Sequence, residues 1–432
     1  MQKNLMKEVA VKVASSNGID VYQIKTEKFK TDTINIFFHD NLRKESAARN
    51  AMIPAVLRRG SEKYPTIGDI SLYLEELYGA SFDCGVTKKG ERQIIQFYIE
   101  FVSDKYLSKD ADQFEKASDL LLEIIANPFL ENGVFRNDYV EQEKENLRKL
   151  IASRVNNKAQ YAVERCFEEM CKDEPFGIYD YGNIEDLSEI DSINLFEHYK
   201  HVLETCPMQI FVTGNVHEER IEKMLNKFSV LKRGNIKQID ITDIKKQVKE
   251  VKNVTEKMNV NQGKLSLGFR TNVSSNDSDY YALMVYNGIL GGGIHSKLFQ
   301  NVREKASMAY YVFSRLEKFK GLMLISSGIE LDNRDKALDI ILAQMDEIKK
   351  GNISDYEYTA TLNSLETGIN SLKDNQMHMV DFYLSQIIVD NSDNFESLKE
   401  RIKQVTKQDV IEVSKKIILD TVYFLTSDEK GE

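Results

Sequence analysis

Two strings in this chain carry residue types that could act on a substrate. One is Asn287-Gly288-Ile289-Leu290-Gly291-Gly292-Gly293-Ile294-His295-Ser296-Lys297-Leu298-Phe299, leading into Val302-Arg303-Glu304-Lys305-Ala306-Ser307-Met308-Ala309-Tyr310. A guanidinium and a phenol can both donate hydrogen bonds to the carbonyls of an extended peptide, and glycines ahead of them permit a helix break or a close backbone approach. A glycine turn with Tyr310 in the core would use the same residues. A phosphate loop is excluded, because no Gly-Lys-Ser/Thr follows the glycines. The other string is Arg59-Gly60-Ser61-Glu62-Lys63-Tyr64-Pro65, preceded by Ala51-Met52-Ile53-Pro54-Ala55.

Other chemistry is sparse. Of the histidines His39, His198, His201, His217, His295 and His378, only His198 and His201 lie close together. They sit at i and i+3 on an expected helix, with Glu197 and Glu204 nearby, a set that could hold a metal but that an ordinary surface helix explains as well. His39 beside Asp40 reads as a turn pair at a strand end. Cys84, Cys166, Cys171 and Cys206 form no CxxC pair, which points to reduced thiols and a cytoplasmic location.

These strings must be positioned by a mixed α+β framework. Alternating apolar residues predict strands within Gly18–Phe38, at 82–87 and 92–102, and at Gln209–Gly214. Helical spacing predicts helices at 46–57, 67–78 (with Thr66 as N-cap), 111–126, 137–153 and 159–171. Residues 231–257, rich in Lys, Asp and Gln, read as a linker. After it the order begins again: a strand at 264–271, helices at 281–290 and 295–305 around the glycine break, strands at 310–313 and 321–327, and an amphipathic helix at 334–348. The division expected is therefore 1–230, linker 231–257, and 258–432, two copies of one α+β unit.

The strings resemble those of the M16 family, the pitrilysin or insulinase-like inverted zinc peptidases. The resemblance spans most of the chain and implies two duplicated α/β-sandwich domains of the type shared with LuxS and mitochondrial processing peptidase. It implies that Arg303 and Tyr310 hold the substrate backbone. It also places the family's His-x-x-Glu-His motif on Ala51 to Ala55, so that Ala51 and Ala55 stand for the histidine ligands and Pro54 for the glutamate that activates water. In the run Glu141-Gln142-Glu143-Lys144-Glu145 and beyond, the third-ligand position falls on Leu150, while Glu143 matches a supporting carboxylate. The side chains of Ala, Pro and Leu offer no lone pair. The resemblance thus implies a catalytically silent subunit with no metal of its own. Its partner would be a zinc-containing homologue, or a second copy of itself, in a chamber that binds peptide. The nearest subgroup in kind is a metal-free bacterial one associated with 5-aminopentanol modification of elongation factor P. A scaffold protein of the same fold, or an active peptidase with an unorthodox metal site, are the other readings.

Composition bounds the rest. At 432 residues the chain is long enough for two or more domains, and 42% hydrophobic with 29% charged residues is ordinary for a globular protein. The formal charge of −10 argues against nucleic acid as a partner. No signal peptide follows the first residues, and no apolar run of membrane-spanning length occurs.

Overall fold

The computed structural model describes residues 8–108 and 111–427. They group into two compact units. The first holds the chain up to Ala152, Ile178–Asp240 and Met379–Tyr383; the second holds Ser153–Gly177, Ile241–His378 and Leu384 onward.

The first unit opens with strands β1 (Ala10–Ser16) and β2 (Ile19–Ile24), joined by Asn17-Gly18 with both residues at positive φ. That is the dipeptide and conformation of a tight hairpin turn. Strand β3 (Thr31–Asn41) follows, then helix α1 (Lys44–Leu57) and helix α2 (Ile67–Glu76), which Thr66 and Asp69 start with a reciprocal capping box. Next come β4 (Ser81–Lys89), β5 (Arg92–Val102), α3 (Gln113–Ala126), the two-residue strands β6 (Leu130–Glu131) and β7 (Val134–Phe135), and α4 (Asn137–Ser153). Helix α5 (Lys158–Met170) belongs to the second unit; α6 (Ser192–Thr205), β8 (Met208–Thr213) and α7 (Glu218–Phe228) complete the first. Its main sheet has the order β1-β2-β8-β3-β5-β4. Ile34, Ile36, Phe38, Phe97 and Ile99 from its central strands share one buried core with the apolar side of α3.

The second unit contains β9 (Lys252–Lys257), β10 (Gly263–Arg270), α8 (Asp279–Gly291), a π-helix (Phe299–Lys305), β11 (Ala309–Glu317) and β12 (Leu322–Ile329). Helices α9 (Arg334–Lys349), α10 (Asp355–Leu372), α11 (Gln376–Ile388), α12 (Phe395–Gln404) and α13 (Lys407–Ser414) lead to β13 (Ile418–Thr426). The sheet order is β11-β12-β10-β13-β9. Helix α5 lies directly on this sheet: a Cβ on Gly268 of β10 would meet Met170 Sδ at 2.7 Å.

The two sheets repeat one plan. β4-β5-β3-β8-β2 and β11-β12-β10-β13-β9 share the same order and polarity, antiparallel throughout except for the parallel last pair. This is the duplicated α+β architecture expected from the order of elements, with β1 added to the first copy.

Three local expectations change. The stretch read as a linker ends in a strand, because β9 pairs in parallel with β13 at the sheet margin. A marginal strand turns only every second residue inward, here Val254 and Glu256, and tolerates the lysines that made the segment read as a linker. The helix expected over 295–305 is regular only briefly before it widens into the π-helix. His39 is no turn residue: β3 continues to Asn41, and His39 is 1% exposed within it.

Candidate functional site

Arg303 and Tyr310 sit on irregular backbone. Arg303 projects from the π-helix, a rare form that recurs at functional positions. Between the two residues Ser307 has φ +52°, a left-handed conformation that costs a non-glycine residue about 1 kcal/mol or more. Tyr310 is the unpaired residue of a β-bulge: Ala309 faces Ile329, Tyr311 faces Gly328, and Tyr310 is skipped. Bulges on a sheet's outer strand re-aim side chains, and Tyr310 is 59% exposed. Its hydroxyl donates to Glu330 Oε1, and that carboxylate pushes the phenol's pKa up, so the hydroxyl stays a donor at neutral pH. The Arg303 guanidinium lies 4.8 Å from the Phe299 ring centroid, with only a loose 3.5 Å approach of its Nε to Glu304. Its fork is therefore largely open to a ligand's acceptors.

The glycine run upstream is explained by packing. A Cβ on Gly291 would lie 2.5 Å from the Ser314 amide nitrogen of β11, and one on Gly288 would meet Thr361 of α10 at 2.4 Å. These residues let α8 settle against β11 and α10, and His295 is drawn into the same packing, its Nε2 3.0 Å from Thr361 Oγ1. The glycines hold the framework from which the π-helix departs.

In the first unit, Ala51, Pro54 and Ala55 lie on α1, which is buried along most of its length. Ala51 and Ala55 are i and i+4, on one face, the spacing that would let two side chains share a ligand. Pro54 breaks the ladder, removing the amide that would bond the Asn50 carbonyl. The Cys84 thiol of β4 donates to the Pro54 carbonyl at 3.2 Å. Glu143 of α4 is committed: it forms an ion pair with Arg59, and its other oxygen accepts from Asn146 Nδ2 at 3.2 Å. Leu150, two turns further along α4, is 45% exposed. The zinc that the family implies does not fit this donor set. The positions that the resemblance assigns to the ligands hold two alanines and a leucine, and the nearby carboxylate already has a guanidinium.

Nor do the histidines substitute. His198 Nε2 lies 2.7 Å from Asn50 Oδ1, and Asn50 donates on to Asp40 Oδ2 at 3.0 Å and Gln93 Oε1 at 2.9 Å. Burial lowers the His198 pKa to about 4, so it is a neutral member of a buried polar network. His201 instead approaches Thr205 Oγ1 at 3.4 Å. Among the described residues, no group of three or more His, Cys, Asp or Glu side chains is placed to hold a metal. All four cysteines are free, and burial pushes Cys84 and Cys171 up to about 12 and Cys206 to about 11. They are protonated at neutral pH and poor nucleophiles. What stays open here is the exposed Arg303 guanidinium, while the single hydrogen of the Tyr310 hydroxyl goes to Glu330. Glu330 and the Arg59–Glu143 pair were not foreseeable from sequence, since each partner lies on a different element with no spacing to announce it.

Residues 194–365 match the family model described as the peptidase M16 inactive domain. Over 412 residues the chain is 36% identical to the probable inactive metalloprotease YmfF of Bacillus subtilis, covering 95% of this chain and 96% of that one. The crystal structure of a conserved protein from Enterococcus faecalis V583 superposes with a TM-score of 0.91 at 30% identity, over 98% of this chain and 99% of that chain. A peptidase M16 inactive domain from Pseudomonas fluorescens shares the fold, with a TM-score of 0.77 at 16% identity and coverage of 98% and 99%. No helix among the described residues is long and apolar enough to cross a membrane. By these likenesses the chain belongs to the M16 peptidase family as a catalytically inactive member.

Proposed function

We propose that this protein is the metal-free half of a two-chain peptidase. It pairs with a zinc-bearing M16 relative to close a chamber, and presents Arg303 and Tyr310 to the backbone of the peptide held there. One observation carries the reading. The segment around Arg303 and Tyr310 has a π-helix, a left-handed Ser307 and a bulge, while the α1 positions that the resemblance assigns to the metal motif are alanine and proline. Strain of this kind persists where it aims a side chain at something. The outer strand β4 offers a second contact, since an unpaired sheet margin can add a peptide as a further strand. Four unbridged thiols agree with a cytoplasmic site of action.

The test is co-expression with the His-x-x-Glu-His homologue of the same genome, followed by peptide cleavage by the purified pair. Arg303→Ala should lower kcat/KM about tenfold or more, the worth of a charge-assisted hydrogen bond. Absence of a complex, or unchanged cleavage with Arg303→Ala, refutes the proposal. A stable complex indifferent to both Arg303→Ala and Tyr310→Phe would instead mark a scaffold.

A further inference from the structure

The second unit holds an open cleft of about 710 Å³ that the site above does not use. It lies where the loop from β9 to β10 meets the start of α5. Asn156, Asn157, Asn259, Asn261 and Gln262 line it, together with two lysines, and no acidic residue does. Lys158 Nζ has only the Met258 thioether sulfur at 3.5 Å, and Lys264 Nζ bonds the Gln262 amide oxygen and lies 5.5 Å from the Tyr311 ring centroid. Neither lysine has a carboxylate partner among the described residues, and burial lowers the pKa of Lys264. A partly desolvated Lys264 ammonium beside a second lysine, neither with a counter-charge among the described residues, calls for an anion. The amides narrow its class. Each side-chain amide offers an acceptor as well as donors, which suits the alternating N–H and C=O of a peptide and not a bare oxyanion.

We propose that this cleft takes a carboxylate-bearing stretch of peptide, with Lys158 and Lys264 as its charge partners and the amides on its backbone. The inference rests on the peptide-binding reading above and gives it a preference for acidic substrate segments.

The test uses the full chain and two peptides carrying fluorescein on the N-terminal amine, Ala-Glu-Ala-Glu-Ala-amide and its glutamine counterpart, followed by anisotropy. At low salt the glutamate peptide should bind about tenfold more tightly, and the advantage should shrink toward ~0.5 M salt. The Lys158→Gln/Lys264→Gln double variant should abolish the advantage while its thermal midpoint stays within a few degrees of the parent. Equal binding of the two peptides, or an undiminished advantage in the double variant, overturns the proposal. So does inorganic phosphate that displaces the glutamate peptide more strongly than chloride at equal ionic strength. Arg303→Ala separates the two readings. If both peptides bind equally and Arg303→Ala weakens both, peptide binding stands and the acidic preference falls; if neither peptide binds this chain, the acidic preference falls and the peptide-binding reading is decided by cleavage with the pair.

Discussion

Glu174→Gln should cost the second unit about 3–5 kcal/mol, the range found when one partner of a buried ion pair is removed. Glu174 sits in a buried set of charges, in which Lys320 Nζ also donates to the Asp243 carbonyl at 2.7 Å. Its carboxylate contacts Arg270 Nη2 at 2.6 Å and Lys320 Nζ at 2.7 Å, and Arg270 Nε also reaches Asp420 at 3.0 Å. Side-chain exposure is 3% for Arg270 and 0% for Lys320, so neither cation can recover water when the carboxylate is lost. The set is neutral as it stands, and Glu174→Gln leaves two buried cations facing one anion. Burial by itself raises the Glu174 pKa, but the hydrogen bonds and charges of Arg270 and Lys320 outweigh it and hold the group below its ordinary value. A carboxyl depressed in the folded state stabilises above its unfolded pKa, and that share is lost as pH falls through the folded value. The variant should therefore be weakened most at neutral pH and approach the parent in acid. Tryptophan is absent, so urea unfolding is best followed by far-UV circular dichroism. With a slope of about 2–3 kcal/mol per molar for a unit of this size, the midpoint should drop by about 1–2.5 M. Adding Lys320→Met should recover part of the loss, because it removes the stranded charge. A loss under about 1 kcal/mol, or one independent of pH, would mean that water reaches the cluster and would refute the reasoning.

Other consequences follow from single sites. Burial raises Asp32 to about 6, so its charged form weakens the fold: the stability present below its unfolded value is lost as pH rises through about 6. Asp32→Asn should then stabilise by about 1–3 kcal/mol at pH ~8 and have little effect near pH ~4, as read from urea midpoints at both. Gly291→Ala forces a methyl against the Ser314 amide and should destabilise by about 1–3 kcal/mol; a neutral result would show that α8 can move away from β11. The triple change Ala51→His, Pro54→Glu and Ala55→His should not restore stoichiometric zinc, because Leu150 supplies no third ligand and Arg59 holds Glu143. Metal analysis showing one zinc per chain would contradict this.

The order of elements was legible because periodicity is local. The alternation in 92–102 and the apolar face of α3 are each set by residues a few positions apart, and the repeated order then implies the duplicated plan. Strand β1 was missed although Asn17-Gly18 announces a hairpin, because Ala10–Ser16 alternates weakly and lies at the sheet's margin. Strand β9 was missed because a marginal strand has only one partner to satisfy, here β13, which lies about 170 residues away.

The same division runs through the site. By itself the sequence determined that positions 51, 54, 55 and 150 hold no side-chain donor for a metal, since lone pairs belong to residue types and no folding can supply them to Ala, Pro or Leu. It also placed Arg303 and Tyr310 seven positions apart. Only the tertiary structure decided how those two are presented, through the π-helix, Ser307 and a bulge whose register depends on β12. It also decided that Arg59 holds Glu143, that His198 is spent on Asn50, and that Lys158 and Lys264 share a cleft without a counter-charge. Each of these is a contact between distant segments, and the electrostatics of a group are fixed by what surrounds it in space, not by its neighbours along the chain.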